Sequence, residues 1–355
     1  MDDSKKIDIR ILTKYQLREI FVKKGLLSYK ADQVYNWIWK KGVHSFDLMT
    51  NISKESRSFL ELNFEINRVK FDISQKSIDG TIKNSVRLND NNLVEAVLIP
   101  TKNRKTACIS SQVGCSLDCE FCATSKMKKI RNLKKEEIFD QVFLMNKQSL
   151  NLYNKPLSNI VFMGMGEPLL NYNNVIAAIN KITDSSFLGF SSSRITISTS
   201  GIPKFIIKLA DDRIKTRLAI SLHSAREEIR KKIMPFTKKI PIETLKESLV
   251  YWQNRNKKIL TIEYIVFDSI NDLKEDVYAL IEFCKGLIVK VNLIEYNPIG
   301  DNLYRKAKNP IIELYKEELS KNKITLTIRK SRGKDIDAAC VQLANKSKNL
   351  LSLTK

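Results

Sequence analysis

The stretch TACISSQVGCSLDCEFCATS, from Thr106 to Ser125, runs from strand-forming residues into a loop that contains Cys115, Cys119 and Cys122. These cysteines are spaced C-x3-C-x2-C, and the whole chain has six cysteines. A structural zinc ion usually takes four ligands in two cysteine pairs, and a second pair is missing here. Iron–sulfur clusters are also held by cysteine thiolates, and a four-iron cluster bound by three of them keeps one iron open. The spacing therefore favours such a cluster, with a zinc site as the alternative.

Length and composition are those of an ordinary globular chain. Its 355 residues are 43% hydrophobic and 28% charged, enough for one large core and an accessory module. No apolar run approaches the roughly 18 residues of a membrane helix, and the start, MDDSKKIDIR, does not resemble a secretory signal. We therefore expect a cytoplasmic protein with no membrane partner, and a monomer by default. Thiols stay reduced in the cytoplasm, so clustered cysteines indicate metal or redox chemistry.

The chain is strongly basic. It has 61 Lys and Arg residues against 39 Asp and Glu residues, a formal net charge of +22. Such a charge attracts polyanions, and nucleic acid is the first candidate partner. The alternative is a lysine-rich, solvated surface of the kind that an AT-rich genome encodes.

From Lys105 onward, short β-rich runs alternate with amphipathic helices. The strand candidates are 106–112, 159–164, 194–200, 216–223, 260–267 and 290–296, and the helices between them include 134–147, 171–182 and 271–286. This alternation predicts a parallel sheet with right-handed crossovers. Six such units are fewer than the eight of a closed barrel, so we predict an α/β fold with a partial (β/α)6 barrel. A doubly wound open sheet is the alternative.

The sequence divides into a core and three smaller parts. The predicted parts are a small helical accessory domain at 1–70, connecting strands at 71–100, the barrel core at 101–329 and a tail at 330–355. In the accessory domain, YNWIWKKGVHSF places Trp37 and Trp39 among lysines, which could indicate contact with nucleic acid. Aromatic residues in a short helical domain more often belong to the core, and we expect that role here.

Unusual residues follow the predicted strands. They are GMGEP at 164–168, STSG at 198–201, SLHS at 221–224 and YNP at 296–298. In a barrel, the carboxyl ends of the strands meet at one rim, where active sites lie. Glycine at such an end lets the backbone approach a ligand, and Glu167 could pair with an ammonium group. The strand ends and the cysteine loop therefore predict one shared site at this rim.

The tail contains a second unusual stretch, RKSRGKDIDAACVQLANK, from Arg329 to Lys346. It places Cys340 among small residues and close to several basic ones. Positive charge favours the thiolate, which is the nucleophilic form of cysteine. The alternative is a buried and inert cysteine.

Several ordered motifs together resemble one family. ACISSQVGCSLDCEFCATSKMKKIRNL, VFMGMGEPLLNYNNV, ITISTSG, ISLHS and RGKDIDAACVQL are similar to the RlmN/Cfr family of radical S-adenosylmethionine RNA adenine methyltransferases. The resemblance covers about Arg18 to Leu343, and the RGKDIDAAC tail is closer to the RlmN branch. Ser125, Lys128 and Val341 depart from the family, which often carries Gly at these positions.

The resemblance implies roles for five of the cysteines. Cys115, Cys119 and Cys122 would hold a 4Fe-4S cluster whose open iron binds S-adenosylmethionine. Cys340 would be methylated by one S-adenosylmethionine, and a second would be cleaved to a radical, so that two are used per turnover. The methyl carbon would then add to the adenine. Cys108 would resolve the protein–RNA adduct and end in a disulfide with Cys340.

The resemblance also implies a base and a cofactor-binding set. Glu95, in the apolar run LVEAVLIP, aligns with the proposed proton acceptor of the family. Apolar neighbours could desolvate this carboxylate and make it a better base, although alternation also allows it to point outward. The residues expected to line the cofactor are Gly166, Glu167, Ser198, Ser221, Leu222, His223 and Asn297.

The partners that the resemblance implies are RNAs. The RlmN branch of the family methylates carbon 2 of adenosine 2503 in 23S rRNA and of adenosine 37 in tRNA. Reaching a ring carbon requires an unstacked base, so we expect naked or partly assembled 23S rRNA and tRNA loops. The basic runs 126–135 and 329–334 could contact phosphates. A flavodoxin- or ferredoxin-type electron donor is also implied. The alternatives are a carbon-8 methylase and a non-catalytic, zinc-containing RNA-binding protein.

Overall fold

A ten-stranded sheet and its connecting helices form most of the structure. The computed structural model describes residues 6–300 and 303–345, so the first five residues of the predicted accessory domain and the last ten of the predicted tail lie outside the described residues. The helices are α1 (Lys14–Lys23), α2 (Ser28–Asn36), α3 (Lys54–Asn63), α4 (Lys135–Tyr153), α5 (Tyr172–Thr183), α6 (Pro203–Asp211), α7 (Glu227–Ile233), α8 (Ile242–Asn256), α9 (Lys274–Cys284) and α10 (Asn309–Lys321). The strands are β1 (Ile7–Asp8), β2 (Phe64–Glu65), β3 (Lys70–Lys76), β4 (Ile82–Arg87), β5 (Leu93–Pro100), β6 (Lys105–Cys108), β7 (Gln112–Val113), β8 (Arg131–Asn132), β9 (Asn159–Phe162), β10 (Ile195–Thr199), β11 (Arg217–Ser221), β12 (Leu260–Ile265), β13 (Val289–Ile294) and β14 (Thr325–Arg329). Among these residues, no helix has the length and apolar character needed to cross a bilayer.

Seven parallel strands form the barrel part of the sheet. Their order is β6-β9-β10-β11-β12-β13-β14, which follows the chain without a reversal. A doubly wound sheet reverses its strand order at a switch point, so this order excludes the alternative fold. Within the described residues, β6 and β14 do not pair with each other. The barrel is therefore open, and the predicted partial barrel is confirmed.

The last parallel strand, β14, is one more than the six that the sequence predicts. It lies at the edge of the sheet, and three of its five residues are exposed. Strands buried on both faces read as continuous apolar runs. TLTIR has no such run; it alternates polar and apolar residues over only five positions, the pattern of a short strand with one exposed face.

Three antiparallel strands extend the same sheet beyond β6. β5 pairs with β6, β4 with β5 and β3 with β4. The chain turns between β4 and β5 at Asn91, which has φ +63, a conformation that Asn tolerates. The segment 71–100 therefore belongs to the central sheet as well as connecting two parts of the chain.

The amino-terminal helices pack on the outside of the barrel. Trp39 is buried, and its ring meets Phe139 of α4 edge-on with 5.0 Å between the centroids. The buried Asp140 carboxylate, also on α4, binds Arg10 at 2.7 Å and Arg68 at 2.8 Å. Trp39 therefore belongs to the core, as the sequence predicts.

A lysine of α5 completes this contact. The Lys181 ammonium lies 4.5 to 4.6 Å from the ring centroids of Tyr35, Trp39 and Phe187 and donates to the Tyr35 hydroxyl at 2.6 Å. Burial lowers the pKa of Lys181 to about 8. Trp37 is only half-buried, and the Lys41 ammonium lies 3.3 Å from its ring centroid. One of the two tryptophans thus remains close to the surface.

Candidate active site

A cavity opens at the carboxyl ends of the parallel strands. Its wall includes Cys108 at the end of β6, Gly166 after β9, Ser198 on β10, Ser221 on β11 and Glu263 on β12. The cysteine loop and the tail form the remaining sides. The cavity therefore lies at the rim that the sequence predicts.

The three cysteines of the loop all line this cavity and are free thiols. The loop turns at Gly114, which has φ +75 and where a Cβ would collide with the Lys128 carbonyl oxygen, so only glycine fits. Burial raises the pKa of Cys115 to about 11 and raises that of Cys119 well above its ordinary value, and the nearby Cys122 thiolate adds to both shifts. Such thiols keep their protons until a positively charged group binds them.

The donor set fits an iron–sulfur cluster better than a single ion. Within the described residues, no three His, Cys, Asp or Glu side chains converge on a point where one ion could bind. A structural zinc site needs four ligands around one ion, whereas the cysteines of a cluster bind different iron atoms. The three loop thiols that line the cavity are one fewer than the four ligands of a structural zinc site, and their number fits a cluster.

The loop after β9 presents a buried carboxylate to the cavity. Gly166 has φ +89, and a Cβ there would collide with the side chain of Gln112 on β7. The Glu167 carboxylate accepts the amides of Leu169 and Ser200 at 2.9 and 2.8 Å. Burial nevertheless raises the pKa of Glu167. Because Gly166 and Glu167 both line the cavity, an ammonium group of a ligand could meet this carboxylate.

The other predicted cofactor residues divide into two groups. Ser198, Ser221 and His223 line the cavity, whereas Leu222 and Asn297 do not. Leu222 is buried, and its carbonyl accepts the Arg230 guanidinium. The Asn297 side chain donates to the Cys340 carbonyl at 3.4 Å. These two residues therefore fix the surrounding backbone.

His223 is held in one orientation and one protonation state. Its Nδ1 accepts the Ile265 amide at 3.1 Å, and its ring meets Phe121 edge-on at 4.9 Å. Burial lowers the pKa of His223 to about 3, and the charge of Arg230 adds to this shift. Since Nδ1 accepts a hydrogen bond in the neutral ring, the proton is on Nε2. His223 can therefore donate to a ligand in the cavity.

Cys108 and Cys340, which the resemblance pairs, line the same cavity together with Arg329. Burial raises the pKa of both thiols, to about 12 for Cys108, and the charge of Arg329 opposes each shift. The Arg329 guanidinium lies 3.3 Å from the Glu263 carboxylate, which fixes it in the wall. The fold thus places two thiols from distant parts of the chain beside one cation.

The tail strap, residues 330–345, crosses the cavity mouth from the end of β14 to the antiparallel strands. The Asp335 carboxylate accepts the Ser77 hydroxyl at 2.6 Å, in the turn between β3 and β4. The Asn345 side chain donates to the Leu93 carbonyl of β5 at 2.6 Å. The strap therefore connects the two sides of the open sheet.

The tail strap also binds the cysteine loop. The Val341 carbonyl accepts the Ala123 amide at 2.8 Å, and the Leu343 carbonyl accepts the Thr124 hydroxyl at 2.6 Å. Val341 has φ +71, a strained conformation for a β-branched residue. Cys340 is thus fixed beside the loop that carries the other three cysteines.

Glu95 lies on β5 and is buried, but it does not line the cavity. Its Oε2 accepts the Ala344 amide at 2.9 Å, and its Oε1 lies 3.6 Å from the Lys83 ammonium. Alternation along β5 puts Glu95 on the same face as Val97 and Ile99, which do line the cavity. Its side chain therefore points inward, and the tail strap is bound to it.

Three charged residues of the site do not stand out in the sequence. Glu263 interrupts the apolar run of β12, and a carboxylate in such a run is a signal that could have found it. Arg329 belongs to the run 329–334, predicted to contact phosphates, but it faces Glu263. Arg230 lies in EEIRKKI, which reads as a solvated helix, and yet it is 2% exposed.

The rest of the basic run 329–334 divides between an ion pair and the cavity mouth. Lys334 binds Glu295 at 2.6 Å. Lys330 and Arg332 are exposed and line the cavity. The Arg332 guanidinium also lies 3.9 Å from the Asp79 carboxylate.

Two family models match the chain. Residues 109–284 match the radical SAM superfamily. Residues 7–66 match the ribosomal RNA large subunit methyltransferase N-terminal domain. The first match includes the cysteine loop, and the second includes α1 to α3.

Similar proteins cover nearly the whole chain. A protein of Christiangramia forsetii named "Probable dual-specificity RNA methyltransferase RlmN" is 58% identical over 97% of each chain. A protein of the same name from Flavobacterium psychrophilum is 58% identical over 96% of this chain and 98% of its own. The crystal structure of a radical SAM methyltransferase from Sphaerobacter thermophilus is 32% identical with a TM-score of 0.89, covering 95% of this chain and 99% of that chain. The likeness therefore extends beyond the cofactor-binding core.

Proposed function

The chain belongs to the RlmN family of radical S-adenosylmethionine RNA methyltransferases, and from that membership we propose that it methylates carbon 2 of adenosine 2503 in 23S rRNA and of adenosine 37 in tRNA. Membership itself makes the protein an RNA-methylating enzyme that uses S-adenosylmethionine and a 4Fe-4S cluster. The proposal adds the nucleotides and the ring carbon. The observation that supports it most is that one cavity is lined by the three loop cysteines and also by Cys108 and Cys340.

The cofactor half of the cavity would be held by the residues already described. Cys115, Cys119 and Cys122 would bind the cluster. When bound, the cluster and S-adenosylmethionine supply a 5′-deoxyadenosyl radical. Glu167 would accept the cofactor ammonium, and the other cavity-lining members of the set are Gly166, Ser198, Ser221 and His223. Leu222 and Asn297 would act indirectly, through the backbone that they hold.

Cys340 and Cys108 would do the covalent work. The Cys340 thiolate would take a methyl group from one S-adenosylmethionine, and a second would be consumed as the radical source, so that two are used per turnover. The S-methyl carbon on Cys340 would give up one hydrogen atom to the radical source and bond to carbon 2 of the adenine. The adduct would then lose the carbon-2 proton and return one electron to the cluster, which leaves the RNA bound to Cys340. The Cys108 thiolate would attack the Cys340 sulfur and form a disulfide, while the released carbon keeps the electron pair of the broken sulfur–carbon bond and takes up a proton, which frees the methylated RNA; the disulfide must then be reduced. The shared cavity and the neighbouring Arg329 support this pairing, because a cation stabilises thiolates.

Glu95 would accept the proton that leaves carbon 2 of the adenine. The carboxylate is buried and lies on the cavity face of β5, which favours a base. In the structure it accepts the Ala344 amide. Its other oxygen, Oε1, accepts no hydrogen bond in the described residues and would be the atom that takes the proton.

RNA would enter with its adenine unstacked, past Lys330 and Arg332 at the cavity mouth. We assign RNA contact also to the accessory domain at 1–70. The remaining parts of the proposed division are the connecting strands at 71–100, the core at 101–329 and the tail at 330–355. Naked or partly assembled 23S rRNA would be the ribosomal substrate. A flavodoxin- or ferredoxin-type protein would supply electrons, and the enzyme would act as a monomer in the cytoplasm.

Nucleoside mass spectrometry of 23S rRNA and tRNA tests the proposal. RNA from cells that lack the gene should lose 2-methyladenosine, and the anaerobically reconstituted protein should restore it. Cys122→Ala should fail to restore it, whereas Cys284→Ala, on α9 outside the cavity, should succeed. Formation of 8-methyladenosine would identify a carbon-8 methylase. A colourless, zinc-containing protein that releases no 5′-deoxyadenosine would exclude the radical reaction.

A further inference from the structure

Arg230 lies on α7 at the ends of β10 and β11 and is 2% exposed. Its guanidinium donates to the carbonyls of Ser200 at 2.7 Å, Ser221 at 3.2 Å and Leu222. Ser200 follows β10, and Ser221 is the last residue of β11. Arg230 therefore ties together two strand ends that carry predicted cofactor residues.

Arg230 differs from the basic residues next to it, which have carboxylate partners. Arg226, just before α7, binds Glu228 at 2.8 Å, and Lys231 on α7 pairs with Glu227. No carboxylate of the described residues lies within 4.0 Å of the Arg230 guanidinium. Carbonyl groups satisfy its hydrogens but do not neutralise its charge, and an uncompensated buried charge is costly. Burial accordingly lowers the pKa of Arg230 to about 10.

The cysteine loop lies against the end of α7, the helix that carries Arg230. Glu120, next to Cys119, donates its amide to the Ile233 carbonyl at the end of α7 at 3.0 Å. Cys119 also packs in one apolar cluster with Met234, whose sulfur lies 3.4 Å from the Arg230 guanidinium.

We propose that Arg230 is the fixed counterion of the 4Fe-4S cluster and raises its reduction potential. The inference rests on the proposed function, because it requires the cluster in this loop. Three thiolates outweigh the positive charge of the cluster core, so the site is negative and becomes more negative on reduction. Net charge and surroundings set cluster potentials. A buried cation nearby makes the added electron less costly, and the low local dielectric strengthens the effect.

Three variants separate the charge from the hydrogen bonds. Arg230→Gln removes the charge and keeps a donor. Arg230→Lys keeps the charge but loses the planar fork that reaches three carbonyls. Arg226→Gln, in an exposed ion pair at the start of the same helix, is the matched control. The readout is the midpoint potential of the reconstituted cluster, titrated under argon without S-adenosylmethionine and followed by electron paramagnetic resonance.

The expected result is a lower midpoint potential in Arg230→Gln. At the midpoint of the parent, its ratio of reduced to oxidised cluster should be at least tenfold smaller, and a tenfold change corresponds to a shift of about 59 mV for one electron. Arg230→Lys and Arg226→Gln should stay near the parent. A midpoint in Arg230→Gln equal to that of the parent overturns the inference. The same holds if the midpoint is unchanged and only S-adenosylmethionine binding weakens, since Arg230 would then serve the cofactor.

Two further outcomes are also decisive. If Arg230→Gln cannot retain a cluster, the Arg230→Lys variant decides. A cluster-loaded Arg230→Lys protein with the midpoint potential of the parent supports the counterion role. A midpoint so much lower that the reduced-to-oxidised ratio falls tenfold or more overturns it. If the parent protein takes up no iron and sulfide, the proposed function fails, and the inference fails with it. A loaded parent with an unaffected Arg230→Gln variant refutes the inference alone.

Discussion

At the scale of single residues, Cys108 and Cys340 line one cavity and are expected to act in different steps of the proposed reaction. Cys108→Ala should still load RNA onto Cys340 but fail to release it, so a covalent protein–RNA adduct should accumulate. Denaturing gels and mass spectrometry of the linked peptide would detect the adduct. Cys284→Ala, a buried cysteine outside the cavity, should turn over like the parent. Normal turnover by Cys108→Ala would show that another group resolves the adduct.

Val341 stores backbone strain next to Cys340. Its φ of +71 costs about 1–3 kcal/mol for a residue with a branched side chain. Val341→Gly should relieve this strain, for a net gain of about 1 kcal/mol after the entropy of glycine in the unfolded chain. Amide hydrogen exchange at Ala123, which donates to the Val341 carbonyl, should slow.

Val341→Ala is the matched control for that change. Alanine also has a Cβ, so it should give little relief at the same φ. Faster exchange at Ala123 in Val341→Gly would mean that the Val341 side chain, and not its backbone, holds the strap to the cysteine loop.

Residue types and their spacing in the sequence are enough to identify some residues of the site. The others can be identified only from the residues that surround them in the folded protein. The cysteine loop could be predicted because its ligands are local in sequence. The pairing of Cys108 with Cys340 came from the resemblance, since nothing in the sequence around either cysteine connects them. Arg230 could not be found, because its burial and its three carbonyl partners exist only in the fold.

At the scale of elements, the tail strap carries Cys340 and is held at the turn between β3 and β4. Asp335 accepts hydrogen bonds from the Ser77 hydroxyl and the Ile78 amide, and Asp335→Ala removes both. The strap should then open more often. In protein without cluster, iodoacetamide should label Cys340 several-fold faster, as measured by peptide mass spectrometry.

The control for the strap is Glu313→Ala, which breaks an exposed ion pair with Lys316 on α10. Its Cys340 labelling rate should equal that of the parent. An equal rate in Asp335→Ala would place the restraint elsewhere in the strap, at its contacts with the cysteine loop.

The predicted strands all appear, but their ends and neighbours differ. The first predicted strand, 106–112, is split into β6, ending at Cys108, and the short β7 at Gln112–Val113. β7 leaves the large sheet and pairs with β8. Apolar periodicity shows that a run is buried and extended, and it carries no information on which strand it joins. β14 is missed for the complementary reason, because an edge strand does not need buried side chains on both faces.

For the whole molecule, one buried carboxylate holds the accessory helices to the barrel. Asp140→Asn would leave Arg10 and Arg68 without their anion. Removing one partner of a buried ion pair costs about 3–5 kcal/mol. Thermal unfolding should shift down, and limited proteolysis should cut near residue 68 at lower protease concentration.

The matched control is Asp211→Asn, whose carboxylate lies at the surface near Arg255. It should unfold and be cleaved like the parent. Parent-like behaviour of Asp140→Asn would mean that the aromatic contacts around Trp39 alone hold the accessory helices.

Docking of these helices should also depend on pH. The pKa of Lys181 is about 8 in the folded protein, against an ordinary value of 10.5. Between these values the unfolded chain binds the proton and the folded one does not, so the free energy of unfolding should rise as pH increases from about 8 to 10.5. Melting temperatures across this range should rise less in Lys181→Met than in the parent. Identical profiles would show that Lys181 keeps an ordinary pKa.

The tail strap has a consequence for the order of folding. Its contacts join Asn345 to Leu93 and Asp335 to Ser77, pairs separated by 252 and 258 residues. Contacts of such separation require a long loop to close first, whereas each barrel strand pairs with the next in the chain. Cys340 should therefore reach its place last during folding and leave it first during unfolding. A half-folded barrel could then assemble its metal loop before it gains the nucleophile, which would keep immature chains from reacting with RNA.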